Sequence, residues 1–351
     1  MATTRLDISL SRSNKGPATP VSIALSAFDI ATLIAVIGML ACRLAVLPRD
    51  ADAVLARSLH RVLCGALALL TFASLGILLS RTLEMNGSNW HALSTDVRLA
   101  LSVTHFGHVW LRRVPALVIA WAAWAWALRH RDSWPAWLMV IAIATIALTR
   151  SETGHPADHG DFTIAVWIDW LHILAAGMWV GSLFGMTLAV FPRLLREGKG
   201  SPGHAAILFR RLSTLSGIAL ALLVACGIFN AIQQLGSFEA LWTSRYGINL
   251  DVKLGIVLAM VAIGAHNRYV KLPRLLACTG QPAKRPLALR WLPERASVPL
   301  ARDSGQILRS CARAVLIESL LGITVIGATA ALIHATPPAD VPHVHTVRTK
   351  A

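Results

Sequence analysis

The sequence predicts an all-α membrane protein, a polytopic bundle of about eight transmembrane helices. Three observations predict it. Only 15% of the 351 residues are charged and 55% are hydrophobic, whereas soluble domains carry about 25% charged residues. Apolar runs of membrane-spanning length recur along the chain, each near the reach needed to cross a hydrocarbon core. Basic residues gather in alternate connections between these runs, the asymmetry that cytoplasmic loops impose.

A polar tail covers residues 1–26 and carries Arg5, Arg12 and Lys15. The apolar stretch that begins at Ala27 is too long for a signal h-region and has no clear small-residue cleavage site behind it, so it reads as the first span, 27–47. Seven more runs follow, at about 59–80, 114–128, 134–149, 163–191, 212–234, 248–266 and 314–334. The third and fourth are short and almost meet around residues 129–132, the pattern of a tight helical hairpin. On the fifth, Gly177, Gly181 and Gly185 recur every fourth residue. That spacing lets another backbone approach closely, so this helix is expected at the centre of the bundle. Trp110, Trp134, Trp167 and Trp242 fall near run ends, where aromatic belts form. One eight-helix membrane domain, 27–335, therefore carries the fold, and a histidine-containing tail, 336–351, follows it.

Orientation follows from lysine and arginine. The connection after the fifth run holds Arg193, Arg196, Lys199, Arg210 and Arg211, and the one after the seventh is basic from Arg268 and Lys271 to Arg302 and Arg309. Residues 151–162 hold no Lys or Arg, and 235–247 only Arg245. The basic loops are thus expected in the cytoplasm and both termini in the periplasm of a bacterial inner membrane. The three positive charges of the N-terminal tail run against that orientation. The net charge of +15 is explained by loops facing anionic headgroups, so the expected partner is the lipid bilayer and not nucleic acid. Five cysteines (Cys42, Cys64, Cys226, Cys278 and Cys311) form no CxxC pair, and none lies in an outward loop. A disulfide framework and a thiolate metal site are not expected.

Histidine placement is the main chemical signal. In this topology His91, His105, His108, His155, His159, His172, His334, His343 and His345 lie on the outer half or outside it, and only His60, His130, His204 and His266 lie toward the cytoplasm. An outer face rich in neutral imidazole suits capture of a soft or borderline cation such as copper. The densest group is Gly154-His155-Pro156-Ala157-Asp158-His159-Gly160-Asp161, just before the fifth helix. Asp169 and His172 follow as i,i+3 neighbours on one helical face. With a helix start near Thr163, His172 lies about 13 Å along it, inside the apolar layer, where an ionisable side chain points to function. The candidate metal ligands are His155, His159, Asp169, His172, His105 and His108. Met178 and Met186 on the same helix read as packing residues, and the tail pair His343 and His345 as a weak outer cluster. Among buried polar groups, Glu318, Lys253 and Arg43 are expected to find partners across the bundle, Glu318 with Arg43 or with a base at the inner end such as Arg268.

The stretch Asp169-Trp170-Leu171-His172-Ile173-Leu174-Ala175-Ala176-Gly177-Met178-Trp179-Val180-Gly181 resembles the signature of the CopD copper-resistance family, a His-containing helix followed by a Trp-x-Gly step. Further stretches agree in order: Phe106-Gly107-His108-Val109-Trp110-Leu111-Arg112-Arg113 upstream, then Phe209-Arg210-Arg211-Leu212-Ser213 leading to Gly227-Ile228-Phe229-Asn230, Tyr246-Gly247 leading to Lys253, Asn267-Arg268 and Pro273-Arg274, and Leu308-Arg309-Ser310 leading to Glu318 and Thr336-Pro337-Pro338. The resemblance spans about residues 100–338. It implies eight spans and a role in copper resistance or copper uptake, with Cu(I) or Cu(II) as the ion and a periplasmic CopC-like protein as partner. His155 and His172 carry over as ligands from the family, and His159, His105 and His108 follow from local chemistry.

A copper conduit is the expected function, not an enzyme: no GxxxxGK[ST] nucleotide motif and no nucleophile elbow is present. Two alternatives stand beside it. One is a b-type haem electron-transfer protein using His60, His108, His172 or His266. The other is a copper-binding accessory without transport.

Overall fold

The computed structural model describes residues 20–48, 53–85, 91–130, 134–157, 160–196, 202–278, 304–335 and 338. Among them there is no strand, and eight helices are long and apolar enough to cross a membrane. In chain order they are α1 (Pro20–Val46), α2 (Ala53–Met85), α4 (His105–Arg129), α5 (Trp134–Ser151), α6 (Ile164–Arg196), α7 (Gly203–Leu235), α8 (Arg245–Ala277) and α9 (Gly305–Ile333). A short helix that the apolar runs do not reveal, α3 (Leu93–Val103), precedes α4.

Two boundaries differ from the sequence expectation. The first helix begins at Pro20, seven residues before the expected run, because Val21, Ile23, Ala24 and Leu25 carry the apolar pattern upstream, broken only by Ser22 and Ser26. The third span is not short: α4 runs back to His105 and takes in Arg112 and Arg113, which a hydropathy reading assigns to a loop. Thr104 caps it, its Oγ1 accepting from the Gly107 amide at 3.0 Å. Ser244 caps α8 in the same way through the Gly247 amide at 2.9 Å. In both corners the preceding turn crosses the glycine so closely that a Cβ would meet a carbonyl oxygen at 2.1 or 2.2 Å.

The centre of the bundle is the α1–α6 pair, and the glycine spacing on α6 is the reason. A Cβ on Gly181 would sit 1.9 Å from the Ile34 carbonyl oxygen, and one on Gly38 would sit 1.8 Å from Gly181. The two backbones touch, and the dispersion contacts of such close approach hold membrane helices together where no hydrophobic drive exists. Around this pair α1 also packs on α2, α5 and α9, α4 and α5 form the expected hairpin, and α8 packs on α9. Met186 is fully buried in this core. Helix α6 passes through two π-helical turns, Gly177–Gly181 and Met186–Val190, and α8 through one at Asn267–Lys271. Trp134, Trp167 and Trp242 are exposed, as an interfacial belt requires, but Trp110 is buried and its indole N–H donates to the Ser74 carbonyl oxygen at 3.1 Å.

The two ends of the bundle lie on one face. Ser26 near the start of α1 and His334 at the end of α9 are 2.9 Å apart. His105 and the connection from α5 to α6 share that face, which is called the histidine-bearing face below. The opposite face carries Arg193, Arg196, Arg268 and Lys271.

Candidate functional site

Helix α6 enters from the histidine-bearing face. Its cap is Thr163, whose hydroxyl faces the Val166 amide, and this start point sets the depth of the two residues that matter. Asp169 and His172, less than one turn apart, project from α6 toward α5 and α7, away from the outside of the bundle. The Ser151 hydroxyl at the end of α5 donates to Asp169 Oδ2 at 2.8 Å, and the Asn230 amide on α7 donates to Oδ1 at 3.4 Å. The imidazole of His172 lies against Gly227 of α7: a Cβ there would stand 3.4 Å from His172 Cε1. Gly227 thus leaves room for the ring. His172 Nδ1 is buried without a hydrogen-bond partner.

Two cations surround the pair. Arg150 of α5 and Lys253 of α8 both act on Asp169 through charge, and Lys253 also acts on His172. Tyr246 of α8 closes the outer side and donates to Gln234 of α7. The site is therefore a polar chamber made by α5, α6, α7 and α8 in the half nearest the histidine-bearing face. Asp169 and His172, Gly227 and Asn230, and Tyr246 and Lys253 come from stretches singled out in the sequence; Arg150, Ser151 and Gln234 do not.

Above the chamber, His105 Nε2 stands 3.2 Å from Asp161 Oδ1 and 3.4 Å from the Glu152 carbonyl oxygen, with its side chain 54% exposed. His108 does not join it. Its ring is 3.1 Å from the Ser102 carbonyl oxygen of α3 and faces solvent. The chain makes a single 3₁₀ turn at His155–Ala157, and His159 lies outside the described residues, as do His343 and His345. Among the described residues no three His, Cys, Asp or Glu side chains gather into a metal cluster.

Glu318 is answered by neither Arg43 nor Arg268. It is buried in the other half of the bundle, accepts from the Asn267 amide at 2.7 Å, and feels the charge of Lys271, a base at that inner end. The π-helical turn that begins at Asn267 ends α8's regular helix there. Arg268, one residue on, turns outward to the Ser213 carbonyl and hydroxyl oxygens of α7 at 2.7 and 3.0 Å. Arg43 acts through charge on His60, whose ring stacks on Trp124 at 4.9 Å.

Sequence reasoning missed a second polar centre. Asp29 of α1 is fully enclosed and takes a bidentate pair from Arg113 of α4, at 3.1 and 3.2 Å, with Arg150 of α5 at 3.9 Å. Glu152, also enclosed, pairs with Arg112 at 3.0 Å. Burial pushes the Glu152 carboxyl above the usual range, and the Arg112 guanidinium works against that rise. One signal could have revealed Asp29: it is a lone carboxylate near the start of an apolar run, and such a residue needs a cation at the same depth.

Two family models match. One, described as copper resistance protein D, covers residues 206–332, and the other, described as the N-terminal domain of copper resistance protein D-like proteins, covers 17–163. The stretch from Asp169 to Gly181 falls between them. Curated relatives include the copper transport protein CutJ of Bacillus subtilis, 26% identical over 60% of this chain and 39% of that protein. The copper resistance protein D of Pseudomonas syringae pv. tomato is 30% identical over 61% of this chain and 70% of its own length. The inner membrane protein YebZ of Escherichia coli is 28% identical over 54% of this chain and 63% of its own length. The chain thus spans well under half the length of the Bacillus protein and about two thirds of the other two. No solved structure matches the chain.

Proposed function

Because the chain belongs to the copper resistance protein D family, we propose that it carries copper ions across a bacterial inner membrane, taking them up from the periplasm. The histidine-bearing face is then periplasmic, both termini lie on that side, and the basic loops face the cytoplasm. A CopC-like copper-binding protein is the natural donor at that face.

The observation that carries this reading is the state of His172. It is an imidazole within the membrane layer, seated in a gap left by Gly227, with Nδ1 unbonded. A neutral imidazole nitrogen without a hydrogen bond is a ready copper ligand. His105, beside Asp161 at the surface, and the histidines of the loop before α6 receive the ion first. Asp169 shares the helical face of His172 and supplies the negative charge that draws a cation inward. Its weak bond to Asn230, at 3.4 Å, is the one that yields when copper enters. His155 and His159 complete the proposed outer capture set, and Lys253 acts on Asp169 through charge. No energy-coupling motif is present, so the ion moves down its own gradient or with another ion.

The test is copper-64 uptake into proteoliposomes holding the purified full-length chain. Uptake above protein-free vesicles that falls about tenfold in His172→Ala supports the reading. Uptake that His172→Ala leaves unchanged overturns the ligand assignment. Copper binding without flux converts the protein into an accessory, and a Soret band in the purified protein converts it into a haem carrier.

A further inference from the structure

Beside the copper chamber lies a separate, partly open cavity of about 30 Å³, lined by α1, α2, α4 and α5 toward the histidine-bearing face. Its wall includes Ser26, Arg81, Trp110, Arg113, Arg150 and Thr153. Three guanidiniums on one small cavity inside a membrane protein demand a count of charges. Arg113 and Arg150 share a single carboxylate, Asp29. The other carboxylate whose charge reaches Arg150 is Asp169, and Lys253 already answers it. Asp29 and Asp169 therefore face Arg113, Arg150 and Lys253, which leaves one positive charge in excess. Arg81 adds to this at the cavity rim; its partner, Glu84, is an exposed residue 3.6 Å away.

The hydrogen-bond count gives the same sign. Arg150 Nη2 and Arg113 Nε are buried with no acceptor. The hydroxyls on the wall turn their protons elsewhere, and none of their oxygens bonds these two guanidinium nitrogens. Thr153 donates to the Thr149 and Arg150 carbonyl oxygens, both at 3.1 Å, and Ser26 is bonded to His334. A buried guanidinium with missing acceptors and surplus positive charge is costly in a low-dielectric layer. An anion removes both costs at once, because it supplies charge and acceptor together.

We propose that this cavity binds one small monovalent inorganic anion of chloride size, held by Arg150 and Arg113 with Arg81 at the entrance. The volume admits one or two water-sized particles, which matches an anion of chloride size. The site is distinct from the His172 chamber: it lies on the α1, α2 and α4 side of Arg150, while Asp169 lies on the other.

Chloride-36 binding to the full-length protein in nanodiscs tests it, by scintillation proximity at constant ionic strength with gluconate as the replacing anion. The expected result is saturable binding to a single site, lost in Arg150→Gln and weakened about tenfold in Arg81→Gln, the loss of one charge-assisted contact at the rim. Absence of saturable binding to folded wild-type protein overturns the proposal and leaves water as the only occupant. So does binding that both variants leave unchanged. If Arg150→Gln does not fold, Arg81→Gln decides alone, because its side chain is 39% exposed and its loss leaves the core intact.

Discussion

Asp29 and Asp169 are carboxylates in the same half of the bundle, yet their surroundings differ in kind. Asp29 has no exposure, and Arg113, itself 5% exposed, closes both its oxygens with a bidentate bond across α1 and α4. Asp169 is only half-buried. It takes one short bond from a hydroxyl, one long bond from an amide, and the distant charge of Arg150 and Lys253. Its neighbour His172 keeps an unbonded ring nitrogen. A closed pair fixes two helices relative to each other, and its carboxylate has no oxygen left to offer a cation. An incompletely bonded set contributes less to the fold and retains the capacity to bind. The difference separates a structural charge pair from the proposed transport site by bonding alone.

Removing one partner of the closed pair has the largest expected effect. Arg113→Ala strips buried Asp29 of its bidentate partner and leaves it only Arg150 at 3.9 Å; the loss costs about 3–5 kcal/mol, read as loss of folded protein in thermal unfolding of the detergent-solubilised chain. A variant that melts with wild type would erase the contrast. Gly181→Val drives a side chain into the Ile34 carbonyl and costs about 1–3 kcal/mol or more by overpacking, which unfolding in the same detergent measures. Asn267→Ala leaves the Glu318 carboxylate without its donor and costs about 1–3 kcal/mol. Its melting curve shows whether Glu318 belongs with the closed pair or with the open set. His172→Ala is expected to change stability by less than about 1 kcal/mol while removing copper flux. Equal losses of stability and flux would make His172 a packing residue. The smallest effect concerns pH. Burial raises the Glu152 carboxyl in the folded state, so its contribution is full below the ordinary glutamate range and is lost as pH rises through the raised value. The melting temperature of wild type relative to Glu152→Gln should therefore fall between acid and neutral pH, and a flat difference would refute the shift.

The sequence made much of this legible. The eight spans, the α4–α5 hairpin and the central place of α6 followed from apolar runs and from glycines spaced by four. Asp169 and His172 were legible as a pair because one helical face and one depth follow from their spacing. The extent of α4 was not, because Arg112 and Arg113 look like loop residues until Asp29 and Glu152 are seen to answer them. Helix α3 was hidden for a similar reason: Leu93–Val103 is short and polar, and it is ordered by its packing on α4. For Glu318 the sequence pointed to a base at the inner end, and Lys271 does act on it through charge, but the hydrogen bond comes from Asn267 and Arg268 turns outward.

By itself the sequence determined that this chain enters lipid, how many times it crosses, and which helix carries the histidine. Those properties depend on hydrophobicity and on the period of an α-helix, and both are local. Which charges meet was decided only by the tertiary structure. Asp29 and Arg113 are 84 residues apart, and Gly227 makes room for a ring 55 positions before it. Backbone contact between Gly38 and Gly181 sets the distances between helices, and those distances determine which buried polar groups are satisfied and which remain free to bind.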